Sequence, residues 1–132
     1  MSAGRLDGLS MIVEFELEPG PDAPHEARRL VRRRLIDGMP APLLYDLLMI
    51  ISELVTNSVG HGPGMPITVR IDVLSDGGVH GVVEDGGNAD IELSEIGSEM
   101  TSGLGLRIID AIARRWGVAE DGSAVFFELQ PE

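Results

Sequence analysis

The sequence contains no cysteine and, because all ten basic residues are arginine, no lysine. Without cysteine there are no disulfides, no cysteine-bound zinc and no thiol catalysis, and a cytoplasmic protein is the expectation. Lysine's absence reads as coding bias more than as physics. It leaves ten cations against 22 anions and a net charge of -12. Nucleic-acid binding needs a cationic footprint. Here only Arg28, Arg29, Arg32, Arg33 and Arg34 offer one, so direct binding to nucleic acid is not expected. No uninterrupted apolar run approaches the ~18 residues of a membrane span. Met1 to Ser10 has one arginine and no apolar block, so neither a signal peptide nor a membrane partner is expected.

What is present is glycine, 17 residues in 132, against about 7% in ordinary chains. The glycines cluster at 60–64, 77–81, 86–87 and 97–105. Such clusters mark turns, or places where backbone approaches a ligand. A chain of this length buries roughly two-thirds of its unfolded surface in one core. No repeat or linker interrupts it, so residues 10–131 read as one domain.

In chain order, Met11 to Leu17 alternates as a strand. Pro24 opens a helix to about Ile36, with Ala27, Leu30, Val31 and Leu35 on its apolar side. The arginines cover the rest of that helix, either as a solvated face or as a surface for a protein partner. A longer helix follows Pro40 and Pro42, its stripe running Leu44, Leu47, Leu48, Ile51, Leu54, Val55. Ile67–Leu74 and Val79–Glu84 are strands around the Ser75-Asp76-Gly77-Gly78 turn. The reading then gives a helix from about Leu106 to Trp116 capped by Gly117, a short strand from Val118, and a last strand from Ser123 to Leu129. Trp116 and Phe126 are assigned to the core by residue type. The expected fold is an α+β two-layer sandwich, a mixed sheet with helices on one face.

Three short patterns could carry chemistry. Glu53 and Asn57 lie one helical turn apart, so a carboxylate and a carboxamide can share a ligand. On their own they also fit a solvated polar face. Asp85-x-Gly87 ends a strand; its carboxylate can accept from an exocyclic amine, and its glycine admits a ring against backbone. Alone it is equally an Asp-Gly turn. Ser102-Gly103-Leu104-Gly105 opens a helix, where free N–H groups suit a phosphate, or where a hinge would also sit.

In this order the patterns resemble the GHKL, or Bergerat, ATP-binding fold of histidine kinases and type II topoisomerases. The match is nearest to its anti-sigma factor serine kinases of the RsbW/SpoIIAB type. Glu53 to Gly62 looks like that family's N-box, Asp85-Gly86-Gly87-Asn88-Ala89 like its DxGxG box, and Gly103-Leu104-Gly105-Leu106 like its GxGL box. Gly122-Ser123 looks like its hydroxyl-bearing turn. The resemblance implies ATP and Mg²⁺ as cofactors, with Asn57 as the metal ligand and Glu53 as the base for an attacking serine. It implies that Asp85, Gly87 and Ser123 hold adenine, and that Ser102, Gly103, Leu104, Gly105 and Leu106 wrap the phosphates. It further implies a homodimer whose partners are a sigma factor and a small antagonist protein. Two departures define an alternative, an interaction module of the same fold without phosphotransfer. Ala89 stands where the family has glycine, and no basic residue lies between Asp85 and Arg107.

Overall fold

The computed structural model describes residues 9–61, 64–86, 103–119 and 123–131. Among those residues, five strands and three helices follow in the order β1 (Leu9–Leu17), α1 (Ala23–Leu35), α2 (Ala41–His61), β2 (Ile67–Leu74), β3 (Val79–Glu84), α3 (Gly103–Ile112), β4 (Arg115–Val118) and β5 (Ala124–Leu129). The strands form where the sequence alternates. Ile67, Val69 and Ile71 of β2, Val79 and Val83 of β3, and Val125, Phe127 and Leu129 of β5 are buried. Their neighbours turn to the other face, as a period of two requires.

The sheet order is β1-β2-β3-β5-β4. Two layers and an α+β architecture agree with the sequence expectation, but the sheet is antiparallel at all four pairings instead of mixed. The connectivity explains the difference. The connection containing α3 joins β3 to β4, which run parallel but are not neighbours. The β4–β5 hairpin then places β5 between them, so each strand meets only antiparallel partners.

Two glycines set how β5 seats. Gly81 pairs with Phe127 and Gly117 pairs with Phe126. A Cβ at Gly81 would lie 2.2 Å from Phe127 Cζ, and one at Gly117 would lie 2.8 Å from Phe126 Cζ. Each glycine leaves its ring room to lie across the strand. Phe127 is fully buried on the helix side. Phe126 is on the opposite face, half-buried, where its ring stacks with that of His80 at 6.4 Å between centroids. The aromatic in the core is therefore Phe127, not Phe126.

Trp116 was expected to end a helix and Gly117 to cap it; both lie instead in β4. The helical ladder closes at Ala113, whose N–H donates to the Ile109 carbonyl at 2.8 Å. The next amide, Arg114, donates to the Glu128 carbonyl of β5 at 2.8 Å. The sheet has taken over the backbone there. Gly117 serves Phe126 and not a helix cap. Half-buried Trp116 ties strand to helix, its Nε1–H donating to Asp110 Oδ1 at 3.0 Å.

Between β2 and β3 the turn is made as its residues predict. Gly77 adopts φ +94°, and Gly78 N–H donates to Asp76 Oδ1 at 2.7 Å. Pro24 sits in the first turn of α1, Glu26 lies near its N-terminus, and Arg32, Arg33 and Arg34 occupy its last turn. That distribution suits the helix dipole at both ends.

The central helix, α2, lies against the sheet and α1. Leu47, Ile50, Ile51 and Val55 are completely buried, and Leu43, Leu44, Leu48 and Leu54 nearly so. By length and composition alone, Ala41–Gly60 could cross a bilayer, although Asp46 and Glu53 interrupt its apolar run. Of that stretch, 56% is buried inside the protein, as in a core helix.

Candidate functional site

The carboxyl half of α2 carries Glu53 and Asn57 at adjacent turns. The sequence puts them off the apolar stripe, and the structure separates them. Glu53 is half-buried, whereas Asn57 is 5% exposed. The buried arc of α2 is wider than the stripe, because Leu43 and Ile50 join it. Asn57 follows Ile50 by two turns and so falls inside that arc. A solvated polar face does not describe it.

The Asn57 side chain has an unmet need. Its Nδ2 is buried with no hydrogen-bond partner among the described residues. An unsatisfied buried donor costs about 1–3 kcal/mol. Buried polar groups are paired in the great majority of cases, and exceptions cluster where an ion or ligand belongs. A carboxamide suits an ionic ligand: its oxygen can face a cation while its nitrogen donates to an anionic oxygen. The donor chemistry therefore fits a metal–phosphate group.

Asp85 follows β3 and is 5% exposed. Its N–H donates to the Ser123 carbonyl at 3.1 Å, continuing the β3–β5 ladder one step beyond the Glu84↔Ala124 pair. Asp85 and Ser123, 38 positions apart, are thus adjacent. Gly86 next to Asp85 takes φ +73°, a conformation that glycine adopts without strain. A Cβ there would lie 3.5 Å from Met65 Sδ, so the loop before β2 runs beside this corner. Sequence reasoning missed Met65, which is exposed and sits outside any periodic segment.

Gly103, Leu104, Gly105 and Leu106 form the first turn of α3, so that helix starts earlier than the expected Leu106. The free N–H groups of a helix N-terminus are therefore on Gly103 and the residues after it. Gly87, Ala89 and Ser102 lie outside the described residues, as does the acidic stretch containing Glu92, Glu95 and Glu99. Of the expected site, the structure brings Asp85 and Ser123 into contact and places Glu53 and Asn57 on successive turns of one helix.

Arg28 of α1 also reaches α2, a contact no motif signals. Its Nη1 donates to Ser52 Oγ at 2.7 Å, one residue before Glu53. The carbonyl of Ser52 accepts in turn from Thr56 Oγ1 at 2.7 Å. Only the four-residue spacing of Arg28 and Arg32 hints that both face one neighbour.

Comparison with solved structures finds the same fold in the crystal structure of the RsbU and RsbW domains of Rv1364c from Mycobacterium tuberculosis. The TM-score is 0.68 at 21% identity, over 92% of this chain and 32% of that one. This chain therefore spans about a third of that chain's length, and the likeness at such identity concerns the fold alone. Among curated proteins, none matches. Residues 45–131, from the exposed tyrosine of α2 to two residues past the last strand, match the family described as histidine kinase-, DNA gyrase B-, and HSP90-like ATPase. The chain belongs to that family.

Proposed function

We propose that this protein is an ATP-dependent protein serine kinase of the anti-sigma factor type, with residues 10–131 as its one domain. The observation that carries the reading is the buried Asn57 carboxamide, its Nδ2 without a hydrogen-bond partner among the described residues, one turn beyond half-buried Glu53. Bound Mg-ATP would supply the phosphoryl group and, through the cation, neutralise charge on the phosphate oxygens. The rest falls to the chain's own residues. Asn57 holds the cation through its side-chain oxygen. Glu53 accepts the proton of the acceptor serine hydroxyl at its carboxylate. Asp85 accepts from the adenine amino group, with Ser123 beside it and Gly87 at the pocket floor. Ser102, Gly103, Leu104, Gly105 and Leu106 offer amides to the phosphates at the helix N-terminus.

The acceptor is a serine on a small antagonist protein, and the second partner is a sigma factor held when the antagonist is unavailable. The RsbW domain named for the similar solved structure supports this choice of partners. A cytoplasmic homodimer completes the proposal. A second reading keeps the fold and partner binding but not phosphotransfer. It is favoured by Ala89 and by the lack of any basic residue between Asp85 and Arg107.

Thermal denaturation with Mg-ATP, Mg-ADP and metal-free ATP tests the site. A Mg-dependent rise in Tm is expected, and no shift at millimolar nucleotide would remove the ATP reading. Transfer of labelled phosphate to an antagonist protein separates the two readings. Glu53→Ala is expected to keep nucleotide binding and to lose transfer by about 10²–10⁴-fold.

A further inference from the structure

A cavity of about 340 Å³ opens at the end of the sandwich away from Asn57 and Asp85, where the start of β1, the α1–α2 connection, the first turn of α2 and the end of β2 meet. Leu43 in its wall precedes Asn57 by 14 residues, about 21 Å along the helix axis. Val73 in its wall pairs with Met11, whereas Glu84, next to Asp85, pairs with Thr68 at the other end of β2. The lining is apolar: buried Leu35, Met39 and Leu43, and half-buried Met11 and Val73. Volume and lining suit a small-molecule site, which is apolar with a few placed polar groups.

The polar side chains of the lining are Ser10, Arg34 and Asp37, all exposed. Arg34 and Asp37 bring opposite charges to one cavity, yet they do not pair with each other or with any other charged group among the described residues. The dipole of α1 accounts for a cation in its last turn. It does not account for a carboxylate just past its carboxyl end, where partial negative charge already gathers. Ser10 is the extra residue of a β-bulge: Leu9 pairs with Leu74 and Met11 with Val73, which leaves Ser10 without a cross-strand partner. Bulges re-aim side chains and occur next to binding sites.

A simple anion would meet Arg34 but also Asp37, and a simple cation would meet the reverse. A ligand with both charges close together and an apolar remainder suits all of the lining at once. We propose that this cavity binds a free α-amino acid with an aliphatic or aromatic side chain. The ligand carboxylate pairs with Arg34, whose fork of donors matches it. The ammonium lies at Asp37, where the carboxyl end of α1 adds to the attraction. The Ser10 hydroxyl can donate to the carboxylate or accept from the ammonium. The side chain enters among Met11, Met39, Leu43 and Val73, and the two methionines adapt to its shape. Neither the kinase reading nor the nucleotide site enters this assignment.

The test titrates leucine and phenylalanine into the whole chain by calorimetry, with N-acetylleucine, leucinamide and octanoate as analogues that each lack one charge. Saturable binding of leucine or phenylalanine is expected, with every analogue weaker by about tenfold or more. Arg34→Gln and Asp37→Asn should each weaken the amino acid by about tenfold or more. Arg33→Gln removes the same charge as Arg34→Gln from an exposed residue outside the cavity, and should weaken it by less than about twofold. All three variants should melt like wild type. In methyl NMR spectra the amino acid should shift Met11 and Met39 and leave Met65, beside Gly86, in place. No saturable binding of either amino acid at millimolar concentration overturns the proposal. So does equal binding of N-acetylleucine, leucinamide or octanoate, equal weakening by Arg33→Gln, or a shift at Met65 without one at Met11 and Met39.

Discussion

The two halves of α2 are one continuous helix, yet they bury different chemistry. The first half buries Leu43, Leu44, Leu47 and Leu48, hydrocarbon throughout. The second buries Leu54 and Val55 and, among them, the carboxamide of Asn57. The first half contributes stability through area removed from water and close packing. The second half places in the core a group whose nitrogen has no described partner, a cost that a stability-only design would have removed. The difference teaches where to look for function in a helix that is apolar along its length: at the buried position that packs worse than a leucine would.

Substitutions can break or sharpen that contrast. Leu47→Ala, in the fully buried first half, should lower stability by about 2–5 kcal/mol. Chemical denaturation would measure it, and below the transition the Mg-ATP response should be retained. Asn57→Leu should leave stability unchanged or raise it by about 1 kcal/mol, because it exchanges an unsatisfied polar group for hydrocarbon. The same variant should lose the Mg-dependent Tm rise. Trp116→Phe removes the N–H donated to Asp110 and should cost about 0.5–1.5 kcal/mol by denaturant titration, with nucleotide response intact. The smallest effect belongs to the exposed Arg29–Glu26 pair of α1. Glu26→Gln should change stability by about 0.5 kcal/mol or less, and less still at high salt.

Much of the fold was legible because it follows local period. Ile67–Leu74 and Val79–Glu84 match the strands observed, and the intervening turn follows from its glycines. The α3–β4 boundary was not legible. Apolar spacing continues from Ile109 through Ile112 to Trp116, so the sequence reads as one helix. What ends the helix is a hydrogen bond from Arg114 to β5, a partner 14 positions further on. The glycines at 81 and 117 likewise take their meaning from Phe127 and Phe126 across the sheet.

The candidate site divides in the same way. Glu53 and Asn57 could be paired by helical spacing, but the burial of Asn57 depends on the width of the contact between α2 and the rest of the core. Asp85 and Ser123 could be named separately from their turns. Their adjacency depends on β5 inserting beside β3, which no local pattern encodes. Arg28 was readable only as one of several arginines, and its hydrogen bond to Ser52 singles it out.

The central claim is that Asn57 is buried for a metal-bound nucleotide and not for the fold. Calorimetric titration of Mg-ATP into wild type and Asn57→Leu, with the melting temperature of each measured alongside, tests it most directly. The account predicts saturable, Mg-dependent binding in wild type, and no detectable binding in a variant that melts at or above the wild-type temperature. Undiminished Mg-ATP binding by Asn57→Leu would contradict it.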